Sequence, residues 1–331
     1  MGKDEAIAGL KALRYGRQEC LRYAKHVHSP PTAAAVRFRA PAPRLRRFGI
    51  AHPSRVSHHF PEFVMCVGFR EVLGFTLLSL TALSLGAQPK PLTNVHAHND
   101  YVHTHPLFDA LNHGFCSVEA DIHLLDGQLL VAHTRSEIKP GRSLQSLYLD
   151  PLRERAAKNG GRIYRNGPEV TLLIDIKSSW QTTYPALRET LKQYSDILST
   201  FESGHKTTNA VVAIITGDRS REMFEGESIR YAALDGELTD LDSDAGAELI
   251  PWISSNWSAT FKWRGKGPMP PEEQTKLKQI VAKAHQHGRR VRFWGAPDNA
   301  IFWQAMLANG VDLINTDDLE GVGKFLSSSG L

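Results

Sequence analysis

Short apolar runs of five to seven residues alternate with longer amphipathic segments from residue 94 onward. The runs are rich in Val, Ile and Leu, which favours β-strands, while two of the longer segments, 184–198 and 271–287, repeat their apolar positions as helices do. The second of these begins with Pro-Glu-Glu and is followed by Gly288, as is typical of helix ends. The predicted strands are 94–98, 117–122, 129–133, 170–176, 210–216, 229–234, 249–254, 290–294 and 311–315.

The alternation of strands and helices is typical of parallel βα units. Runs 117–122 and 129–133 are joined by Asp126-Gly127, a turn signal, so they count as one hairpin unit. Eight units then remain, which predicts a single (β/α)8 TIM barrel, with an open doubly wound sheet as the alternative. Polar residues follow strand after strand, where barrel enzymes place their chemistry, and this favours the barrel.

The N-terminal part of the chain has a different pattern. Residues 72–87 form an uncharged apolar run that ends in small residues, and it is shorter than the roughly 20 residues of a spanning helix. With Met65 and Arg70 upstream, this pattern predicts a signal peptide over 65–87, with an N-terminal membrane anchor as the alternative. Residues 1–64 lack a helical or strand period, so we expect a disordered or untranslated basic extension.

These boundaries leave 88–331 as the mature domain. We expect it to be exported, periplasmic or extracellular, without a stable membrane span. Composition is globular, with 41% hydrophobic and 22% charged residues among 331. The formal net charge of +4 arises in residues 1–64, which hold 12 Lys and Arg against 4 Asp and Glu. Residues 88–331 hold 26 basic and 30 acidic groups, so charge does not indicate nucleic-acid binding by the folded part.

Candidate chemistry begins in the hairpin. Glu119 and Asp121 lie two residues apart on a strand, so both side chains point to the same face. Two adjacent carboxylates repel each other, and a divalent cation between them accounts for the arrangement. The next strand delivers His133 near the same place. The hairpin therefore predicts a metal site beside a histidine.

Four motifs in this order resemble those of a known superfamily. They are His-Asn-Asp-Tyr at 98–101, Val-Glu-Ala-Asp at 118–121, Val-Ala-His at 131–133 and Ile-Asp-Ile-Lys at 174–177. Their order and spacing resemble the phosphatidylinositol-specific phospholipases C and glycerophosphodiester phosphodiesterases, and within them the altered inheritance of mitochondria protein six family. The resemblance extends over roughly 93–320 and includes Gly-Val-Asp-Leu-Ile-Asn-Thr-Asp at 310–317. It implies a TIM barrel of the phospholipase C-like phosphodiesterase type.

The resemblance also implies a cation site. Asn99, Glu119, Asp121 and Asp175 match the positions that ligate one divalent cation, Ca²⁺ or Mg²⁺. All four supply oxygen, the ligand that hard cations require. The implied activity is that of a metal-dependent phosphoric diester hydrolase. Its implied partner is a small phosphodiester or a phospholipid headgroup, and no protein partner is inferable.

The catalytic residues implied by the resemblance are His98, His133 and Lys177. The two histidines would act as the acid and base on either side of the scissile phosphodiester, and Lys177 would donate to a phosphoryl oxygen. His96 lies on the same face as His98, but only His98 directly precedes Asn99, so we favour His98. Asn99 stands where the glycerophosphodiester phosphodiesterases have arginine, which leaves the substrate headgroup open.

Two other functions are compatible with such a barrel. His96-Ala97-His98 is also how amidohydrolase-type metal sites begin, although the strands ending near Thr216, Leu234 and Ser254 supply no further histidine. A catalytically inactive, exported barrel that serves as a binding protein is the second alternative, because a fold does not determine a function.

Overall fold

The computed structural model describes residues 88–330. These residues belong to one compact unit, Leu80–Leu331. The signal peptide predicted over 65–87 and the basic extension predicted over 1–64 lie outside the described residues. Within 88–330, no helix combines the length and hydropathy needed to cross a membrane.

The described chain contains twelve strands. They are β1 Val95–Ala97, β2 Ser117–Leu125, β3 Gln128–Val131, β4 Val170–Ile176, β5 Thr200–Glu202, β6 His205–Thr207, β7 Val211–Gly217, β8 Ile229–Arg230, β9 Ala233–Gly236, β10 Trp252–Asn256, β11 Arg290–Trp294 and β12 Ile314–Thr316. Eight of them pair in the order β11-β10-β9-β7-β4-β2-β1-β12, all in parallel. A parallel bridge between Arg292 and Leu313 joins the two ends of this order. The predicted (β/α)8 barrel is therefore confirmed, and the open sheet is wrong.

Helices and short turns connect the strands. The α-helices are α1 Phe108–Asn112, α2 Asp150–Lys158, α3 Trp180–Lys192, α4 Trp257–Thr260, α5 Pro271–Gln286, α6 Ala300–Ala308 and α7 Leu319–Ser328. Shorter turns are the 3-10 segments Asp100–Val102, Arg135–Glu137, Arg221–Phe224 and Leu238–Asp242, and the π-helical segment Gln145–Leu149. α5 begins at the predicted proline because Pro271 pre-sets the first helical turn, and Glu272 and Glu273 stabilise its N-terminal end.

The strand prediction differs from the structure in several regions. The runs predicted over 249–254 and 311–315 are observed as β10 Trp252–Asn256 and β12 Ile314–Thr316. The run predicted over 229–234 is two strands: β8 pairs with β5 in a small antiparallel sheet, and only β9 enters the barrel. β5 and β6 were not predicted, since each is three residues long and β6 is fully exposed, so neither shows an apolar period. The hairpin strand β2 extends to Leu125, three residues beyond its predicted end.

The two faces of the barrel strands pack differently. Val118, Ala120 and Ile122 of β2 belong to the large core that packs against the helices. The opposite face of the neighbouring strands forms a second, smaller apolar cluster, which includes Leu173 and Ile214. Because strand side chains alternate, this second face lines the barrel interior. Toward the carboxyl ends of the strands the same face carries charged residues, and there the candidate site lies.

Candidate functional site

Three carboxylates meet at the carboxyl ends of two neighbouring barrel strands. Glu119 and Asp121 lie on β2, and Asp175 lies on β4 directly beside Asp121 in the register. One oxygen from each of the three lies within 4.8 Å of the others. The carboxylate pair predicted from the hairpin is thus part of a cluster of three that could hold a metal ion.

Each of the two aspartates has one oxygen engaged and one oxygen without a partner. Oδ2 of Asp121 lies 2.7 Å from the hydroxyl of Tyr101, 2.9 Å from Nδ1 of His133 and 3.1 Å from Nζ of Lys177. Oδ2 of Asp175 accepts from Nζ of Lys177 at 2.7 Å. The Oδ1 atoms of both aspartates are buried and have no hydrogen-bond partner. Buried, unpartnered carboxylate oxygens are costly, and a bound cation relieves that cost.

The third carboxylate is held from inside the barrel. Oε2 of Glu119 lies 3.3 Å from Nε2 of His96 and 3.6 Å from a guanidinium nitrogen of Arg292. Burial opposes ionisation of Glu119, but the nearby His98, His96 and Arg292 outweigh it and hold its pKa well below its usual range. Burial, with the charges of Asp121 and Glu119, raises the pKa of Asp175 to about 6 despite its contact with Lys177. The cluster therefore carries excess negative charge, which fits a divalent cation.

Asn99, the fourth predicted ligand, lies beside this cluster. It follows β1 with a left-handed backbone, φ 49°, which asparagine tolerates better than most residues. Its Oδ1 accepts from the hydroxyl of Tyr101 at 2.8 Å, and the same hydroxyl contacts Asp121. All four predicted ligands thus lie in one region and offer only oxygen, so the residues present fit a Ca²⁺ or Mg²⁺ ion.

His98 lies at the rim of the barrel. Its Nδ1 is 2.9 Å from Oδ1 of Asp317, which follows β12. Burial alone would lower the pKa of His98, but the charge of Glu119 and the contact with Asp317 outweigh it, so its pKa is raised. Because Nδ1 is engaged, Nε2 remains for a ligand. Such a carboxylate-oriented imidazole is the arrangement found in general acid-base catalysis.

His133 contacts the carboxylate cluster at Asp121. Its Nδ1 contacts Asp121, and this hydrogen bond is the main reason that its pKa is raised. Nearly half of its side chain is exposed, so the ring is accessible from the solvent side. Lys177 contacts Asp121 and Asp175, and its pKa is raised because their charges outweigh its burial. All seven predicted residues are therefore brought together at one end of the barrel.

His96 lies in a different environment. Its ring is fully buried, with Nδ1 2.6 Å from the hydroxyl of Ser117 and Nε2 near Glu119. Burial lowers the pKa of His96 to about 4, so the ring is neutral at pH 7. A neutral, sealed imidazole does not reach a substrate at the rim. Among residues 88–330, neither His96 nor His98 joins a cluster with metal-ligand spacing, which argues against the amidohydrolase-type site.

Two further residues at this site were not predicted as part of it from the sequence. Tyr101 connects three predicted residues through one hydroxyl, which contacts Asn99, Asp121 and His133. Its position in a loop carries no period that would show where the ring points. Arg292 is different, because a charged residue in the middle of the predicted strand 290–294 is itself a signal. A charge in a barrel strand needs a partner, and the structure places Glu119 and Asp235 beside it.

Comparisons with known proteins identify the family of this chain. Residues 84–232 match the AIM6-like phosphodiesterase domain. Altered inheritance of mitochondria protein 6 from Eremothecium gossypii is 33% identical over 270 residues, covering 71% of this chain and 69% of that protein. The protein of the same name from Lachancea thermotolerans is 32% identical over 275 residues, covering 69% of this chain and 64% of that protein.

Solved structures show a weaker likeness. A glycerophosphodiester phosphodiesterase from Parabacteroides distasonis has a TM-score of 0.45 and 16% identity, covering 73% of this chain and 100% of that one. Altered inheritance of mitochondria protein 6 from Saccharomyces cerevisiae is 30% identical over 306 residues, covering 76% of this chain and 73% of that protein. The sequence relatives, rather than the solved structures, show the family. The chain therefore belongs to the altered inheritance of mitochondria protein 6 family.

Proposed function

We propose that this protein is a metal-dependent phosphoric diester hydrolase that cleaves a P–O bond by histidine acid-base catalysis. The observation that carries the proposal is the pair of buried, unpartnered oxygens on Asp121 and Asp175, with His133 in contact with Asp121 and His98 near Glu119. The match to a phosphodiesterase domain supports the same class of reaction.

The proposed roles of the site residues are cation binding, phosphate binding and proton transfer. Asn99, Glu119, Asp121 and Asp175 would hold one divalent cation, which supplies charge neutralisation at the phosphoryl group. Lys177 donates to a phosphoryl oxygen from the same side.

His98 and His133 then transfer the protons. One takes a proton from the attacking hydroxyl or water, and the other gives a proton to the leaving alkoxide. Asp317 holds Nδ1 of His98, and Asp121 holds Nδ1 of His133, so each ring presents Nε2 to the substrate. When the nucleophile is a neighbouring hydroxyl of the substrate, the product is a cyclic phosphate, and its proximity contributes much of the rate.

The proposed substrate is a glycerophosphodiester-type or phospholipid-type phosphodiester. The match to the AIM6-like phosphodiesterase domain supports a phosphodiester substrate. The resemblance of the four motifs to glycerophosphodiester phosphodiesterases and phospholipases C suggests these two headgroup types. The test is hydrolysis by the full chain of a panel of glycerophosphodiesters and phospholipids, with and without EDTA. We expect activity that EDTA abolishes and that Mg²⁺ or Ca²⁺ restores. Full activity after exhaustive chelation contradicts metal dependence, and inactivity on every diester supports the inactive binding barrel.

The histidine roles have their own test. We expect His98→Ala and His133→Ala each to lower turnover by about 10²–10⁴-fold while cation binding persists. A substrate with a good leaving group should partly rescue the variant that lacks the acid. His287→Ala, at the exposed end of α5, is the matched control and should retain full turnover. A larger loss in His96→Ala than in His98→Ala contradicts the choice of His98.

We also propose that the mature protein is exported, to the periplasm or the extracellular space. The support is the apolar run at 72–87, with small residues at its end, directly before the first barrel strand. N-terminal sequencing of the native protein tests this. We expect a start near Ala87 or Gln88, and a mature protein that begins upstream of residue 65 contradicts the cleavage.

A further inference from the structure

Arg292 is buried inside the barrel beneath the carboxylate cluster. It lies in the middle of β11 with a side chain only 3% exposed. Its guanidinium reaches across the barrel, 3.6 Å from Oε2 of Glu119 on one side and 3.5 Å from Oδ2 of Asp235 on the other. Nε donates to the hydroxyl of Ser254, and Nη1 donates to Oδ1 of Asn315, both at 3.1 Å. Five donors fixed in one plane make this a rigid placement of positive charge.

This placement of Arg292 engages one of the two carboxylate oxygens of Glu119 in an ion pair. Oε2 lies next to Arg292 and to Nε2 of His96, whereas no hydrogen bond or ion pair within residues 88–330 involves Oε1. Asp121 and Asp175 are restricted in the same way, because Lys177 occupies Oδ2 of both. Each carboxylate of the cluster therefore has one oxygen committed to a protein cation and one oxygen left for a ligand.

Charge balance points in the same direction. The upper barrel interior contains four carboxylates and two fixed cations, namely Glu119, Asp121, Asp175, Asp235, Arg292 and Lys177. The carboxylates outnumber the two fixed cations by two, and one divalent cation balances that difference. Uncompensated buried charge is expensive, so this region is arranged around such an ion.

We propose that Arg292 is a positioning residue that restricts Glu119 to one-oxygen ligation and so makes the site select Mg²⁺ over Ca²⁺. This inference rests on the cation site of the proposed function. Mg²⁺ demands an octahedron of close oxygens at about 2.0–2.1 Å and keeps several waters, so single oxygens from three carboxylates suit it. Ca²⁺ takes about 6–8 oxygens and gains from carboxylates that bind through both oxygens. Arg292 and Lys177 withhold the second oxygens that Ca²⁺ would use.

The test is isothermal titration calorimetry of the metal-free full chain with MgCl₂ and with CaCl₂. For the natural sequence we expect Mg²⁺ to bind at least about tenfold more tightly than Ca²⁺. The test variant is Arg292→Met combined with Asp235→Asn, because removing Arg292 alone leaves Asp235 as an unpaired buried charge. In this variant we expect the Mg²⁺-to-Ca²⁺ affinity ratio to fall by about tenfold or more, chiefly through tighter Ca²⁺ binding by a freed Glu119.

The ratio separates positioning from a merely structural role. A structural defect would weaken the binding of Mg²⁺ and of Ca²⁺ by the same factor and leave their affinity ratio unchanged. An unchanged ratio in the double variant therefore overturns the proposal. Arg290→Met is the matched control: Arg290 lies two residues earlier on β11 and contacts the backbone oxygens of Thr93 and Asp312, so the ratio should not change. If the double variant fails to fold, Arg292→Lys keeps the buried charge, and its ratio should still fall by about threefold; an unchanged ratio overturns the proposal.

The outcomes also separate this inference from the proposed function, because calorimetry needs no substrate. Natural-sequence protein that binds Ca²⁺ as tightly as Mg²⁺ overturns the role of Arg292 but leaves metal-dependent hydrolysis intact. Selective Mg²⁺ binding by a protein inactive on all phosphodiesters overturns the hydrolase and leaves the role of Arg292 intact. Failure to bind either cation overturns both.

Discussion

At the scale of single residues, the site is defined by which oxygen of each carboxylate is engaged. Tyr101 is the clearest case, because its one hydroxyl lies 2.8 Å from Oδ1 of Asn99, 2.7 Å from Oδ2 of Asp121 and 3.2 Å from Nδ1 of His133. A hydroxyl has one proton, so it can donate fully to Asn99 or to Asp121 but not to both at once. It orders the region between the predicted ligands and a predicted catalytic histidine.

We therefore expect Tyr101→Phe to lower kcat by about tenfold with little change in KM, because the ring still packs while the shared hydroxyl is lost. The stability loss should be about 1–2 kcal/mol. Steady-state kinetics and urea unfolding measure the two effects. Tyr164→Phe is the control, since its buried hydroxyl donates to the backbone oxygens of Leu111 and Phe115, away from the site. It should cost similar stability and leave kcat unchanged; equal kcat losses in both variants contradict a role for Tyr101 in the site.

Asp121→Asn tests the balance of charge in the cluster. The amide keeps the shape of the side chain but removes a ligand charge, so we expect loss of cation binding and at least a 10²-fold loss of activity, by order of magnitude. In EDTA the variant should be as stable as the natural protein, or more so, because repulsion with Glu119 and Asp175 is relieved. Urea unfolding in EDTA measures this.

Asp126→Asn, in the β2–β3 turn, is the matched control for that change and should alter neither property. If Asp121→Asn instead lowers the metal-free stability by several kcal/mol, the expected relief of carboxylate repulsion is contradicted. Such a fall shows that the contacts of Asp121 with Lys177 and His133 stabilise the fold more than carboxylate repulsion opposes it.

At the scale of elements, the end of β7 packs closely against Asp175, one of the predicted cation ligands. Gly217 is the last residue of β7 and adopts φ +77°. A Cβ built there would lie 2.1 Å from Oδ1 of Asp175, the unpartnered oxygen, and also inside contact distance of the backbone of Ile176. Only glycine therefore allows the strand to end so close to Asp175.

Gly217→Ala should destabilise the protein by about 2–4 kcal/mol, which combines left-handed strain with overpacking. It should also weaken cation binding by about tenfold or more, because Oδ1 of Asp175 is displaced. Gly127→Ala separates the two effects: Gly127 has φ +75° with no atom within 4 Å of its added Cβ. That control should lose about 1 kcal/mol and bind the cation normally. Calorimetry measures cation binding and urea unfolding measures stability in both variants. Normal cation binding by Gly217→Ala contradicts the role of Gly217 in placing Oδ1 of Asp175.

At the scale of the whole molecule, the barrel closes unevenly. β4 pairs along Val170–Ile176 with β7 and along most of that length with β2. Between β11 and β12, the structure described for 88–330 has a single bridge, Arg292 to Leu313. A seam with little pairing opens more readily than a strand paired on both sides.

We expect hydrogen exchange to show this difference. Amides in residues 311–316 should exchange at least about tenfold faster than amides in β4, measured by mass spectrometry of peptic peptides. Equal protection at 311–316 and in β4 contradicts a weak seam.

The sequence alone determined much of this molecule. The alternation of apolar runs predicted the barrel, and the bounds of β4 and β11 agree with the predicted strands because both strands are continuous apolar or alternating runs with polar ends. Period-two spacing placed Glu119 and Asp121 on one face, since that geometry is local to a strand. The roles of His98, His133 and Lys177 and the export of the protein stay predictions.

Only the tertiary structure decided the rest, because it depends on contacts between residues far apart in the chain. His96 and His98 were predicted on the same strand face. In the structure, Arg292 and Ser117 enclose His96, while Asp317 orients His98 at the rim. The split of 229–234 into β8 and β9 depends on the partners that each half finds, which no local period records. Likewise, the committed oxygens of Glu119 and Asp121 are set by Arg292 and Lys177 from other strands, so the fold decided how these predicted ligands are presented.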